Sequence, residues 1–210
     1  MQLVGYFGYG SLVNRLTLAT SYVVSCPAAL TGWRRHWQSR GTDHESVDGA
    51  PLALLSVHRH EQTEIRGMLV LDLAHNLPAV DLREARYDRV AIKPGDLRFL
   101  AEMDHALPDM LFVYVGRQGA PASPTLHDDQ AGTGSGHEFL LQSYLDTVMS
   151  GFETEFGHDG LAHFLETTTG FSRKIVADRH DPVYPRAVKV TGEQAERYDR
   201  LLKEAGVRFI

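Results

Sequence analysis

The sequence predicts an α+β fold, in which a curved antiparallel or mixed sheet, or a small β-barrel, carries helices on its surface. Short runs rich in β-branched and aromatic residues fill the first two thirds of the 210-residue chain. Helical spacing of apolar residues dominates the last third. A loop over residues 119–136, rich in Gly, Pro and Ser, separates the two parts, yet neither part makes a convincing domain alone. We therefore expect one domain over residues 1–210.

The β-rich runs are predicted to be strands, because they are short and bounded by turn residues. These runs cover residues 3–10, 21–30, 32–40, 52–57, 65–72, 86–92 and 110–116. The segment VHRHEQTE, residues 57–64, lies between two of these runs and is predicted to be a hairpin connection. A short helix is expected over residues 77–85, between two strands.

The last third of the chain predicts three helices. The first lies within residues 137–157 and presents one apolar face, formed by Leu141, Tyr144 or Leu145, Val148 and Phe152. A second, shorter helix is expected over residues 159–168. The third begins at Thr191, which has capping-box spacing to Gln194, and it ends at Gly206, a good residue for a helix C-terminus.

Composition and charge indicate an ordinary globular protein rather than a nucleic-acid or membrane protein. The chain is 43% hydrophobic and 23% charged, with a net charge of −6, so no basic field is available for a phosphate backbone. Cys26 is the single cysteine, which excludes an intrachain disulfide and fits a reducing compartment. No secretory signal and no apolar run of membrane-spanning length are present. We expect a cytoplasmic protein, and nothing in the sequence fixes its oligomeric state.

The N-terminal stretch YFGYGSLVN, residues 6–14, is an unusual way to end a strand. Glycine weakens strands and serine favours turns, so Tyr9, Gly10, Ser11 and Leu12 are candidates for an anion-binding turn. A plain sharp turn from strand to loop explains the stretch equally well. Ser11 as a nucleophile is a further reading, but the stretch lacks the second glycine of a nucleophile elbow and no His or Asp partner is identifiable.

Three other groups of polar residues are weaker candidates for chemistry. His58 and His60 have a spacing that a metal ion can use on one strand face, yet no third ligand is apparent and solvated histidines explain them. The run HDD, residues 127–129, is also metal-like, but three adjacent loop residues rarely converge on one ion. Considered without the other motifs, Glu84 is interpreted as an exposed carboxylate at a helix end.

Taken together, several motifs make the chain resemble the γ-glutamylcyclotransferase family, which includes the avirulence-induced-gene-like proteins and the glutathione-specific ChaC-type enzymes. The matching segments run along nearly the whole chain in the family's order. They are YFGYGSL (6–12), GWRRHW (32–37), RGMLVLD (66–72), REARYDRV (83–90), LLQSYLDTVMSGFETEFG (140–157) and DRHDPVYPRAV (178–188). The most specific feature is Tyr-Gly-Ser near the N-terminus combined with a glutamate before YDRV.

The resemblance implies a small mixed β-barrel with surrounding helices and a pocket at one barrel mouth. It places the γ-glutamyl part of a small-molecule substrate on the loop Tyr9, Gly10, Ser11 and Leu12, assigns catalysis to Glu84, and adds Tyr144 to the substrate site. The implied reaction releases 5-oxoproline and a free amine, and it requires no metal and no organic cofactor. Partial burial of Glu84 would raise its pKa toward the working pH.

The exact substrate stays open at this point. The family's γ-glutamylcyclotransferases proper have Asn after Tyr-Gly-Ser, where this chain has Leu12, and ChaC-type enzymes usually have Trp near the position of Asn14. The alternatives are a γ-glutamyl-removing enzyme of a biosynthetic pathway and a non-catalytic binder of small acidic metabolites. The loop over 119–136 precedes the Tyr144 helix and is a candidate lid for the pocket.

Overall fold

A large mixed sheet forms the centre of the computed structural model, which describes residues 2–39, 46–47, 50–117 and 138–209. The strands are β1 (Leu3–Gly8), β2 (Val24–Ser39), β3 (Ser46–Val47), β4 (Ala50–Pro51), β5 (Ala53–Leu73), β6 (Tyr87–Ala91), β7 (Leu97–Phe99), β8 (Leu111–Gly116), β9 (Phe139–Leu141), β10 (Thr168–Thr169), β11 (Lys174–Val176) and β12 (Arg208–Phe209). The helices are α1 (Leu77–Arg83), α2 (Gln142–Glu166) and α3 (Gly192–Glu204). The predicted α+β class is confirmed.

The large sheet has the order β10-β2-β5-β1-β8-β6, with β7 paired to β2. Strand β1 lies inside it, antiparallel to β5 and parallel to β8. Over the described residues the sheet is open rather than closed into the expected barrel. Strand β2 pairs with the short strands β7 and β10 as well as with β5, and β6 lies at the other end of the strand order.

The hairpin connection predicted at residues 57–64 is wrong. These residues lie inside β5, a single strand that pairs with β2 along most of its length. The chain reverses before β5, where β3 and β4 pair with each other. The register shifts between Thr31, which pairs with Glu64, and Trp33, which pairs with Arg59, so residues 60–63 of β5 bulge opposite Gly32, whose φ of 82° suits glycine. The two predicted runs 21–30 and 32–40 lie in one strand, β2.

The helix predictions are confirmed in their main features. The predicted pair of helices corresponds to α2, which is interrupted at Gly157 by a non-helical backbone (φ 67°, ψ −162°). Helix α3 has the predicted capping box between Thr191 and Gln194. Gly206 follows its end with a φ of 96°. None of the helices in the described ranges combines the length and the apolar composition that crossing a bilayer requires.

Helix α2 is placed against the end of β1 by buried contacts. Leu145, Val148 and Phe152 are fully buried in the core. The amide of Asn14 donates to the Thr147 carbonyl and to Ser150 Oγ, each at 3.0 Å. Asn14 therefore fixes the segment after β1 onto α2.

Candidate active site

A cavity of about 630 Å³ brings together all six residues that the sequence analysis assigned to the site. They are Tyr9, Gly10, Ser11, Leu12, Glu84 and Tyr144. The loop comes from the end of β1, Glu84 from the end of α1, and Tyr144 from the first turns of α2. Three segments that are far apart in sequence therefore form one wall.

Glu84 is held in place by the turn between α1 and β6. It is the residue that ends the helix, and its N–H donates to the Val80 carbonyl at 2.9 Å. Its own carbonyl accepts from the N–H of Tyr87 at 2.8 Å, which starts the next strand. The Glu84 side chain is only 12% exposed, so the reading of Glu84 as an exposed helix-end carboxylate is wrong.

The loop after β1 forms a 3₁₀ turn over Ser11–Val13. The N–H of Val13 donates to the Gly10 carbonyl at 2.9 Å, and the N–H of Asn14 donates to the Ser11 carbonyl at 3.1 Å. The N–H groups of Ser11 and Leu12 precede the first bond within the turn, as at any helix start. Such groups at a cavity wall are suited to an oxygen that carries negative charge.

Gly10 lies too close to its neighbours for any larger residue. A Cβ at this position would be 2.8 Å from the hydroxyl of Tyr144 and 3.2 Å from a methyl group of Leu55. The requirement for glycine is therefore a close approach, since the φ of Gly10 is −128° and lies outside the left-handed region. The Tyr144 ring itself packs edge-on to Trp37 and Tyr184, with centroids 5.9 and 5.0 Å away.

Arg83 connects Glu84 to the loop region. Its guanidinium donates to Glu84 Oε1 at 2.9 Å, to Ser11 Oγ at 3.3 Å and to Thr17 Oγ1 at 3.1 Å. It also donates to the Thr17 carbonyl. One side chain thus fixes the carboxylate relative to the turn.

Burial raises the pKa of Glu84 above the ordinary glutamate value. The positive charges of Arg83 and Arg186 and the hydrogen bond from Arg83 act in the opposite direction. Burial also raises the pKa of Tyr9, to which the charges of Tyr144 and Glu84 contribute. A carboxylate with a raised pKa at a cavity wall is a candidate for proton transfer.

The back of the loop is fixed by a buried arginine. Arg35 is fully buried, and its Nε donates to the Tyr9 carbonyl at 2.8 Å. It also donates to Thr167 Oγ1 at 2.6 Å and to the Arg66 carbonyl. Its guanidinium lies 4.9 Å from the centroid of the Phe152 ring. Burial lowers the pKa of Arg35 to about 9, so it is still a cation at neutral pH.

The structure does not support the other chemical readings of the sequence. The hydroxyl of Ser11 accepts a hydrogen bond from Arg83, and no histidine among the described residues lines the cavity, so a nucleophilic serine has no histidine partner there. His58 contacts His36 through their Nδ1 atoms at 3.0 Å, whereas His60 contacts Thr63. In the part of the chain that the structure describes, no group of three residues is arranged to hold a metal ion. The HDD run and the predicted lid over 119–136 lie outside the described residues.

Further residues line the cavity that the sequence analysis did not single out. They are Arg83, Tyr87, Tyr114, Tyr184 and Arg186, among others. The hydroxyls of Tyr9 and Tyr87 donate to the backbone, at 2.7 Å to the Tyr114 carbonyl and at 3.0 Å to the Leu55 carbonyl. The only signal for Tyr184 and Arg186 was their place in DRHDPVYPRAV, a segment of the resemblance to which no role was attached.

Comparison with protein families identifies the chain. The model of the family described as "ChaC-like protein" matches residues 4–122, which is more than half of the chain. The chain belongs to the ChaC-like protein family. The resemblance to the γ-glutamylcyclotransferases is thereby confirmed, and with it the expectation that this ChaC-like protein is an enzyme of that family. A comparison with curated proteins gives no match.

Three solved structures are similar to this chain at low sequence identity. A structure named gamma-glutamyl cyclotransferase is 13% identical, covers 95% of this chain and 99% of its own, and gives a TM-score of 0.52. An uncharacterised human protein is 14% identical, with 95% and 99% coverage and a TM-score of 0.48. A glutathione-specific gamma-glutamyl cyclotransferase from yeast is 14% identical, with 98% and 96% coverage and a TM-score of 0.46. At these identities the likeness to the first structure is one of fold.

Proposed function

We propose that this ChaC-like protein is a γ-glutamylcyclotransferase with Glu84 as its general base and acid. It converts a γ-glutamyl amine, amino acid or peptide, glutathione among them, into 5-oxoproline and the free amine. The observation that carries the proposal is the burial of Glu84 in the wall of the cavity that also contains the loop Tyr9–Leu12. Family membership supports the same reaction class.

The reaction needs no nucleophile from the protein. The α-amine of a γ-glutamyl compound attacks its own γ-carbonyl carbon, a five-membered lactam forms, and the bond to the leaving nitrogen breaks. Orientation of the reacting groups alone accelerates such a reaction strongly, because well-placed intramolecular attack reaches effective molarities of about 10⁵–10⁸ M. A closed cavity that folds the substrate fits this requirement, and no metal or organic cofactor is part of the chemistry.

Glu84 has two proton transfers to perform. It takes a proton from the α-ammonium group, which makes the amine nucleophilic, and it then delivers a proton to the departing nitrogen. The raised pKa of Glu84 suits both steps. A carboxylate with a higher pKa is a stronger base, and its protonated form, which serves as the acid, is more populated near the working pH. Arg83 fixes the carboxyl group while it does so.

The loop and Tyr144 would position the reacting carbonyl. The N–H groups at the start of the turn Ser11–Val13 would bind the γ-carbonyl oxygen as negative charge develops on it. Tyr144 lies against Gly10, so the loop backbone and the tyrosine form adjoining parts of one wall. We propose Tyr9, Gly10, Ser11, Leu12 and Tyr144 as substrate-binding residues on this basis.

The proposal extends to the setting of the enzyme. We propose that residues 1–210 form one domain with a small-molecule substrate and no nucleic-acid partner, consistent with the net charge of −6. A cytoplasmic location fits the single cysteine, Cys26, which is free.

The test is release of 5-oxoproline from a panel of γ-glutamyl amines, amino acids and peptides that includes glutathione. Glu84→Gln should lower turnover by about 10²–10⁴-fold with substrate affinity within a few-fold, because the amide keeps the size of the side chain and loses its basicity. Glu61→Gln, the same change at an exposed position of β5, should keep full activity. Near-normal turnover of Glu84→Gln overturns the role of Glu84. A wild-type protein that forms no 5-oxoproline from any compound overturns the assignment in favour of a binding protein.

A further inference from the structure

Three arginines line the cavity, and they differ in how their guanidinium groups are used. The guanidinium of Arg83 donates hydrogen bonds to Glu84, Ser11 and Thr17. Arg86 also has an interaction partner. Arg186 differs from both, because its Nε is buried and has no hydrogen-bond partner within the described residues.

A partly buried guanidinium nitrogen without a hydrogen-bond partner is unfavourable. Removing a polar or charged group from water costs free energy that hydrogen bonds or a partner of opposite charge can offset. Among the described residues, Arg186 lies over the Tyr184 ring, whose centroid is 5.5 Å from the guanidinium carbon, and its charge acts on Glu84. Tyr184 is 8% exposed, and its hydroxyl also lacks a hydrogen-bond partner in the described part of the chain. Two neighbouring side chains at the cavity wall thus have unused polar atoms, which points to a polar ligand there.

The position of Arg186 relative to Glu84 indicates which group that ligand presents. The charge of Arg186 is close enough to lower the pKa of the Glu84 carboxyl, and both residues line the same cavity. In a γ-glutamyl substrate the α-ammonium and the α-carboxylate are bonded to the same carbon atom. If Glu84 contacts the α-amine, the α-carboxylate necessarily lies close to it, on the side where Arg186 supplies a positive charge.

We propose that Arg186 binds the α-carboxylate of the γ-glutamyl group, an assignment that rests on the proposed function. The substrates are then compounds with a free α-carboxylate beside the α-amine, whatever the leaving amine. The loop Tyr9–Leu12 then binds the γ-carbonyl oxygen. The γ-carbonyl oxygen and the α-carboxylate are thus bound by different elements. Arginine suits this role because its planar guanidinium pairs with a carboxylate through two parallel hydrogen bonds.

The proposal has a kinetic consequence. The α-carboxylate is unchanged from substrate through transition state to 5-oxoproline, so Arg186 binds all three alike. An interaction of this kind lowers KM without raising kcat. Loss of Arg186 should therefore be visible in KM, in contrast to the loss of Glu84, which should be visible in kcat.

The first experiment measures kinetics with two substrates, a γ-glutamyl alkylamine with one carboxylate and a γ-glutamyl dipeptide with two. Arg186→Gln should raise KM for both by about 10- to 100-fold, the worth of a charge-assisted pair, with kcat within about threefold. Arg200→Gln, the same change at an exposed position of α3, is the matched control and should leave both constants unchanged. A rise in KM confined to the dipeptide overturns the proposal and assigns Arg186 to the leaving group. An unchanged KM for both substrates overturns it as well.

The second experiment uses the wild-type protein and does not depend on the folding of a variant. Calorimetry compares 5-oxoproline, whose one charged group is the former α-carboxylate, with its uncharged primary amide. We expect the amide to bind at least tenfold more weakly to the wild type, and Arg186→Lys to retain part of the preference. Equal binding of acid and amide to the wild type overturns the proposal. Failure of the proposed function is a separate result, because it would appear as no release of 5-oxoproline from any substrate by the wild type.

Discussion

Arg35 and Arg186 are two arginines associated with the same cavity, and they are used in opposite ways. Arg35 is fully buried behind the loop, and its donors reach Tyr9, Thr167 and Arg66. Arg186 lines the cavity, and its Nε has no partner within the described residues. A buried guanidinium whose three nitrogen atoms each donate a hydrogen bond supports the fold. One with an unpartnered nitrogen at a cavity wall is available to a ligand.

The comparison separates two groups of residues, those behind the loop that support the fold and those that line the cavity. Substitutions behind the loop should change stability first and activity as a consequence. Substitutions at Glu84, Gly10 or Ser11 should change activity with little loss of stability. The predictions below test this division, beginning with the largest expected effect.

Arg35→Met should destabilise the protein by about 2–4 kcal/mol. Three acceptors lose their donor, at about 1–3 kcal/mol for each buried group left unpaired, and relief from burying the Arg35 charge offsets part of this loss. Denaturant unfolding measures the change. Arg98→Met is the control, because Arg98 is an exposed partner of Glu64 and a surface ion pair contributes little to stability. Equal stability of the Arg35 variant and the wild type would contradict the supporting role of Arg35.

Gly10→Ala should reduce kcat/KM by about tenfold or more with a small change in melting temperature. The added Cβ would lie 2.8 Å from the Tyr144 hydroxyl, at the far end of that side chain, and must displace either the tyrosine or the loop. Gly95→Ala is the matched control, since a Cβ at Gly95 would meet no atom within 4 Å. The prediction fails if Gly10→Ala has the kinetics of the wild type.

The pH dependence of Glu84 should appear in both activity and stability. Because the base form is required, kcat/KM should fall as pH decreases through a pKa above the ordinary value of about 4.3. A carboxyl pKa that is higher in the folded state than in the unfolded state means that the folded state binds more protons between these two values. Stability contributed by this group therefore declines as pH rises through that window, and the cost persists above it.

Glu84→Gln removes this charge and should melt at the same temperature as the wild type or a few degrees higher near pH 7, with the difference vanishing below pH of about 4. Thermal unfolding from pH 3.5 to 8 measures it. A wild-type and a variant protein whose melting temperatures follow pH in parallel would show that the Glu84 carboxyl is not perturbed by burial.

Ser11→Ala should have the smallest effect, a loss of a few-fold in kcat/KM. The hydroxyl of Ser11 accepts one long hydrogen bond of 3.3 Å from Arg83, which keeps its contacts with Glu84 and Thr17. The backbone N–H groups of the loop are unaffected by this change. Complete inactivation, with an acyl group trapped on Ser11 in the wild type, would instead identify a serine nucleophile.

Local features of the fold were predictable from the sequence because neighbouring residues determine them. Thr191 and Gln194 form the predicted capping box through bonds between residues three apart. The break of α2 at Gly157 falls between the two predicted helices, where glycine takes a backbone conformation that other residues avoid. The run at 57–64 was misread because its polar residues imitate a turn, whereas the run lies within β5, where Val57, His58, Arg59 and Glu64 pair with β2.

The sequence by itself determined most of the longer strands and the helices, the candidate loop at residues 9–12 and, through its resemblance to a family, the choice of Glu84. Only the tertiary structure decided that Glu84 is buried, that Arg83 joins it to Ser11, and that Arg35 and Arg186 have different roles. The physical reason is that burial and hydrogen-bond satisfaction depend on residues distant in sequence. Arg35 meets Thr167 across 132 positions of the chain, and no local pattern encodes such a contact.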